Sequence, residues 1–287
     1  MFVVTGATGH LGSQIVDRLL DRLPPDAVGV SVRDTAKAAA LAERGVRVRA
    51  ADFTDPATLE HAFEGADTVL VVSAAIRGNA AIAANCAAID AAHAAGAKRI
   101  LYTSHQAASR DSLFAAQPTH AATEEHLAGL GVPFTALRNG FYASTLSLSI
   151  GTALHTGQLV APADGPVSWT AHADLAEAAA VALTEEGVLD GVTAPLTASE
   201  MLDLTAVAAI LSDITGRTVE RVAVDDEQWL ASAIERGMPS AAAEFTLGIY
   251  RAAREGEFAV TDPTLETVIG HRPTPVRSVL EAIVAQR

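Results

Sequence analysis

Short Val- and Leu-rich runs alternate along the first half of the chain with longer Ala-rich stretches of helical character. The apolar runs read as strands over residues 2–5, 28–32, 46–50, 68–72, 99–103 and 134–138. Near-continuous apolar strands separated by helices are the pattern of βαβ units, whose parallel sheet is covered on both faces. The helices between them are expected to begin near Leu11, Ala36, Thr58, Gly78 and His120. The fifth should close at Gly129 or Gly131, where glycine tolerates the left-handed conformation of a helix end. This is an α/β pattern, and it predicts a Rossmann-type doubly wound parallel sheet.

After Arg138 the rhythm changes. A stretch richer in Gly, Pro and Thr runs to about Thr170, followed by a helix over 173–185 and another over 197–215 with Thr197 or Ser199 as its N-cap. A strand over 219–224 and closing helices over 229–234, 241–255 and 275–285 complete the reading. Residues 1–142 are therefore expected to form a dinucleotide-binding domain. Residues 143–287 form a smaller C-terminal substrate lobe, with 167–185 returning to the Rossmann core. No internal repeat or low-complexity linker separates the two.

The chemistry begins at Gly6-Ala7-Thr8-Gly9-His10-Leu11-Gly12, between the first strand and an amphipathic helix. One glycine permits the tight turn, another lets backbone approach a pyrophosphate, and the third lets the helix press on the strand. The helix start then offers amide donors and a favourable dipole to the anion. The second strand ends in Val32-Arg33-Asp34, with Lys37 one turn further on. A guanidinium suits a ribose 2′-phosphate, and a hydrogen bond to a charged group is worth about 1.5–3 kcal/mol. NADP(H) is favoured, while Asp34 leaves NAD(H) open. Asp52 and Phe53 after the third strand, and Ser73 and Ala74 after the fourth, complete the row of strand ends where ligands of open α/β sheets bind.

Composition narrows the partners. A formal net charge of -14, without any Lys/Arg-rich run, argues against nucleic acid. Cys86 is the single cysteine, which excludes an intrachain disulfide and a thiolate metal cage. No apolar run is long enough to span a bilayer and no charged segment precedes an apolar one at the start, so a cytoplasmic protein that does not enter membranes is expected. Ala-rich helices such as 87–95 leave a homodimer open, without a distinctive interface signal.

The chain resembles the NmrA-like branch of the atypical short-chain dehydrogenase/reductases, and within it the type 2 NADPH:quinone oxidoreductases and triphenylmethane reductases. The resemblance lies in residues 5–12, in Tyr102-Thr103-Ser104, in His120-Ala121-Ala122-Thr123-Glu124 and in Leu137-Arg138-Asn139-Gly140-Phe141-Tyr142. It continues through Ala173-Asp174-Leu175-Ala176 and Thr215-Gly216-Arg217, and so covers most of the chain. It implies that Thr8 to Leu11, Arg33, Ser73 and Thr103 touch the cofactor, and that Asn139, Phe141 and Tyr142 border the nicotinamide or the substrate.

One departure from the wider superfamily bears on chemistry. No Tyr-x-x-x-Lys is present: Tyr102, Tyr142 and Tyr250 are followed at that spacing by Gln106, Leu146 and Arg254. Counted back from Arg138, the lysine position falls on His120 and the tyrosine position on Ala116. A positioned general acid typically contributes about 10²–10⁴-fold, so ordinary ketone reduction is disfavoured. A conjugated small molecule such as a quinone or a cationic dye needs less help, and the expected activity is NADPH-dependent hydride transfer to such an acceptor. The alternative is a non-catalytic NAD(P)-sensing regulator acting through a protein partner; a tailoring reductase for polyketide-type aromatics ranks third.

His120, Ser104 and Tyr142 are the candidate catalytic residues. His120 and Glu124 share a helical face, either as a proton-relay pair or as a surface pair. His126 turns to another face, and no metal site is expected. Trp229, Phe245, Tyr250 and Phe258 are candidates to roof an apolar acceptor pocket or simply to fill the core.

Overall fold

A computed structural model describes residues 1–286. The first strand, β1 (Phe2–Thr5), leads into α1 (His10–Leu20), and β2 (Val28–Val32) follows. All five residues of β2 are buried, as a central parallel strand requires. A 3₁₀ turn over Thr35–Ala38 then leads into α2 (Ala39–Glu43), because the Asp34 carboxylate caps the Ala36 amide at 3.1 Å and sets a tight first turn. Next come β3 (Arg47–Ala50), α3 (Pro56–Phe63), β4 (Thr68–Val71) and α4 (Asn79–Ala94). The half ends with β5 (Arg99–His105), α5 (Gln117–Gly129) and β6 (Phe134–Asn139).

The 143–170 stretch contains a helix and a strand that its Gly, Pro and Thr content concealed: α6 (Leu146–Thr156) and β7 (Gln158–Pro162). Then follow α7 (His172–Thr184), the two-residue β8 (Gly191–Val192), α8 (Leu204–Thr215) and β9 (Glu220–Val224). Helices α9 (Asp226–Glu235), α10 (Ser240–Arg254), α11 (Thr264–Ile269) and α12 (Val276–Ala285) close the chain. The helix expected from residue 197 starts seven residues later. Asp203 is its cap, accepting from the Ala206 amide at 2.8 Å, whereas the Thr197 hydroxyl accepts from the Asp262 amide at 3.0 Å.

The main sheet has the order β3-β2-β1-β4-β5-β6-β8, and every pairing in it is parallel. A separate two-stranded sheet pairs β7 with β9. One face of the main sheet packs on α1 and α7, through Leu11, Ile15, Val16 and Leu19 against Leu175, Ala179 and Leu183. The other face packs on α3, α4 and α5 around Leu59, Phe63, Ile89 and Leu127. A further core joins α6, α8, α10 and α12 to Phe141 and Phe258. Among the described residues no helix is long and apolar enough to cross a membrane.

Candidate active site

The chain reverses direction across the sheet between β1 and β4, so the loops after these strands flank a crevice at their carboxyl ends. Gly6 leaves β1 with φ +63°, and its amide donates to the Ser31 carbonyl at 3.1 Å. Gly9 begins α1 without a side-chain cap, so the amides of His10, Leu11 and Gly12 have no protein acceptor among the described residues. A Cβ on Gly12 would stand 2.3 Å from the Gly6 carbonyl oxygen, and one on Gly9 3.2 Å from the same atom. Only glycine lets the helix start this close to the strand. Thr8 and His10 are exposed beside it, while the Leu11 side chain is buried in the core and leaves only its amide at the turn.

At the tip of β2, Arg33 is exposed and makes no side-chain hydrogen bond among the described residues. It lies near Asp52, whose carboxyl is held below its usual range by the Thr54 amide and hydroxyl and, more weakly, by Arg33. Asp34 spends its carboxylate on the Ala36 amide, so Arg33 is the uncommitted charge here. Lys37 lines a cavity of about 280 Å³ with Ala7, Thr8, Ser13, Asp17 and Leu41. Phe53 is half-buried against the core under α3.

After β4, the Ser73 amide donates to Thr103 Oγ1 at 2.8 Å, and that hydroxyl, 1% exposed, also reaches Ser73 Oγ at 3.3 Å. Thr103 thus braces the loop from beneath. The Ala74 amide donates to Asn85 Oδ1 at 2.9 Å, Asn85 Nδ2 to the Tyr102 hydroxyl at 3.1 Å, and that hydroxyl meets His120 Nδ1 at 2.9 Å. The backbone amide can only donate, so Asn85 must present its NH₂ group to the Tyr102 hydroxyl, and the acceptor within hydrogen-bond distance of that hydroxyl's own hydrogen among the described residues is His120 Nδ1. Burial raises the Tyr102 pKa, so its proton stays and points to His120. His120 Nδ1 is therefore an acceptor and Nε2 carries the hydrogen. Burial lowers the His120 pKa to about 4, which keeps the ring neutral.

The His120–Glu124 pairing does not form. Glu124 is buried; it accepts from Ser104 Oγ at 2.6 Å and binds Arg138 through Nε at 3.0 Å and Nη2 at 2.7 Å. Ser104, expected beside the acceptor, is 3% exposed with its hydroxyl engaged by Glu124. His126 pairs on the surface with Asp90 at 2.7 Å.

Gly140 explains the tight segment after β6. A Cβ there would fall 2.1 Å from Thr170 Oγ1, so glycine alone lets Asn139 and Phe141 sit on either side of it. Asn139 is 2% exposed, and its Oδ1 has no partner among the described residues. The Tyr142 ring lies 4.3 Å from His172, and His172 lies 5.8 Å from His10, so a row of rings joins Tyr142 to the glycine turn. Burial, and then the neighbouring His10, lower the His172 pKa to about 4. Phe141 instead faces the second core, 5.4 Å from His105, 6.0 Å from Phe114 and 4.9 Å from Phe258. Phe245 meets Phe114 edge-on at 4.9 Å and lies beneath the Arg77 guanidinium at 4.3 Å. Tyr250 and Trp229 pack on each other at 5.6 Å in a separate helical cluster.

Unpaired amides at a glycine turn and an unpartnered buried acceptor at Asn139 fit the two ends of a nicotinamide dinucleotide, a phosphate anion and a carboxamide. Fold and site together define a Rossmann-type nucleotide-binding protein of the short-chain dehydrogenase/reductase kind. The chain belongs to the NmrA-like family, whose model matches residues 1–278. It is 34% identical over 275 residues to quinone oxidoreductase 2 of Escherichia coli, covering 96% of this chain and 95% of that protein. The crystal structure of the NADPH-dependent quinone oxidoreductase from Escherichia coli in complex with NADPH superposes with a TM-score of 0.93 at 32% identity, covering 99% of this chain and 100% of that one. That of the Citrobacter sp. triphenylmethane reductase in complex with NADP(H) gives 0.90 at 32% identity, covering all of both chains.

Three residues that buttress these groups carry little signal in sequence. Asn85 lies within an Ala-rich helix, and His105 and Gln117 lie outside the recognisable motifs. A lone Asn amid Ala-Ala-Asn-Cys-Ala-Ala is the one available hint, since a buried amide demands a partner.

Proposed function

We propose that this chain, an NADP(H)-dependent oxidoreductase, reduces a conjugated small-molecule acceptor of the quinone type. When bound, NADPH supplies a hydride. The amides of His10, Leu11 and Gly12 hold the pyrophosphate, Arg33 meets the 2′-phosphate, and Asn139 Oδ1 offers an acceptor at the nicotinamide end. Quinone reduction by the relative from Escherichia coli supports this reading.

One observation carries the choice of acceptor. At the position of the missing lysine stands His120, a neutral imidazole held as an Nε2–H donor by Tyr102. Such a ring lends a hydrogen bond but is a poor acid, which suits an acceptor whose product charge is delocalised. The Ser104 hydroxyl is committed to Glu124 and Glu124 to Arg138, so neither supplies a proton.

The test compares acceptors under identical NADPH. Menadione should drive loss of the nicotinamide absorbance, whereas cyclohexanone should leave it nearly unchanged. Faster oxidation with cyclohexanone would contradict the reading, and stoichiometric NADPH binding without oxidation by any acceptor would favour the sensing regulator.

A further inference from the structure

His105 ends β5 beside His120, with ring centroids 6.1 Å apart and planes inclined by 30°. Its Nδ1 accepts from the Ala107 amide at 3.3 Å and contacts Gln117 Nε2 at 2.6 Å. The backbone amide again decides the tautomer: Nδ1 bears no hydrogen, Gln117 must present its NH₂ group, and the hydrogen sits on Nε2. The resulting cost is visible in Gln117 Oε1, buried without a partner.

Both imidazoles therefore carry hydrogen on Nε2 and neither Nε2 has a protein acceptor among the described residues. Nor is either atom sealed away: the buried side-chain atoms without a partner are Gln117 Oε1 and Asn139 Oδ1, and both histidine side chains are partly exposed. The surrounding wall is aromatic, with Phe114, Phe141 and Phe258 each within 6.4 Å of the His105 ring. The nearest carboxylate of α5, Glu124, is neutralised by Arg138, and no acid pairs with either imidazole among the described residues.

Taking the chain as the reductase proposed above, we infer that His105 and His120 form a two-donor site for the oxygen of a carbonyl-type acceptor, and that His105 sets the preference for quinones over cationic dyes. The balance of the reaction agrees with neutral donors. The quinone takes up the hydride with its two electrons and becomes the hydroquinone monoanion, NADPH becomes NADP⁺, and one solvent proton completes the hydroquinone. Negative charge thus develops on oxygen, where two N–H groups stabilise it without giving up their hydrogens. A cationic dye becomes neutral on accepting the hydride and gains nothing from them. Burial holds both rings neutral, with His105 well below the ordinary histidine range and further depressed by His120.

Two measurements on the full chain test the site. In ¹⁵N spectra of the wild type, both residues should show the neutral Nε2–H tautomer from pH 8 to pH 5; an Nδ1–H tautomer or an imidazolium at either residue would overturn the inference. This readout requires no turnover, so it stands even if the reductase reading fails. In kinetics with NADPH, His105→Phe keeps the aromatic packing and removes one donor. The ratio of kcat/KM for menadione to that for a triphenylmethane dye should fall about ten- to a hundredfold, the effect of one hydrogen bond to a developing charge. His105→Gln, which retains a neutral N–H, should recover part of the ratio. An unchanged ratio in a folded His105→Phe variant that binds NADPH like the wild type would overturn it. Should that variant not fold, the wild-type tautomers decide. A wild type that binds NADPH but reduces neither acceptor would refute the reductase reading; the site would then stand or fall on the tautomers and on menadione binding to the NADP⁺ complex, which should weaken in His105→Phe.

Discussion

Arg138 grips Glu124 through two parallel hydrogen bonds, at 3.0 and 2.7 Å, although the carboxylate is only 6% exposed. The Ser104 hydroxyl completes the set, so α5 is clamped to the ends of β5 and β6 at the level of the site. Replacing Arg138 with Leu would strand a buried charge. Breaking such a pair costs about 3–5 kcal/mol, toward the lower end here because the guanidinium is 29% exposed. The expected outcome is a lowered denaturation midpoint with an unchanged slope, largely recovered in Arg138→Leu/Glu124→Gln; an unperturbed midpoint for Arg138→Leu would show that the pair is not structural.

Arg33 is the uncommitted cation at the tip of β2, since Asp34 caps the next turn. Arg33→Ala should weaken NADPH about ten- to a hundredfold and leave NADH within about threefold, as judged by titration of nicotinamide fluorescence. Equal losses for the two nucleotides would remove Arg33 from the 2′-phosphate.

Gly12 has no room for a methyl group, with the Gly6 carbonyl oxygen 2.3 Å from where it would lie. Gly12→Ala must push α1 off β1, and overpacking of this kind costs about 1–3 kcal/mol. The same shift moves the amides of His10 and Leu11, so NADPH affinity should drop by more than tenfold while far-ultraviolet circular dichroism stays close to that of the wild type.

Acid should destabilise the fold through its half-buried histidines. His120 and His172 have folded pKa values of about 4 against an unfolded value near 6.5, so between these limits the unfolded chain binds more protons. Their stabilisation is complete above pH 6.5 and is lost as the pH falls towards 4, by on the order of 2 kcal/mol for each ring. Urea midpoints measured across this window should decline, and the decline should be shallower in His172→Phe. A wild-type midpoint constant from pH 6.5 to 4 would contradict the neutral assignment.

The Rossmann half is largely legible in sequence because parallel strands must be apolar on both faces, and a glycine turn between strand and helix has few other uses. Residues after β6 are less so: α6 carries Ser and Thr among its apolar residues, and the Thr197 hydroxyl, a cap candidate in sequence, serves a distant amide instead. The tight packing at Gly6, Gly9 and Gly12 and the exposed position of Arg33 at a strand end can be read locally. The roles of Ser104, Thr103 and Glu124 cannot, because each depends on a partner on another element. His105 escapes sequence reasoning on the same ground: its tautomer is set by Ala107 and Gln117, and no periodicity encodes that.

The most direct test of the central claim is to titrate the purified chain with NADPH, follow nicotinamide fluorescence to saturation, and then add menadione without oxygen to the preformed complex. Saturation at one NADPH per chain is expected, followed by oxidation of the bound nucleotide in step with hydroquinone formation. A chain that gives no saturable signal, or one that keeps its NADPH reduced in the presence of menadione, would contradict it.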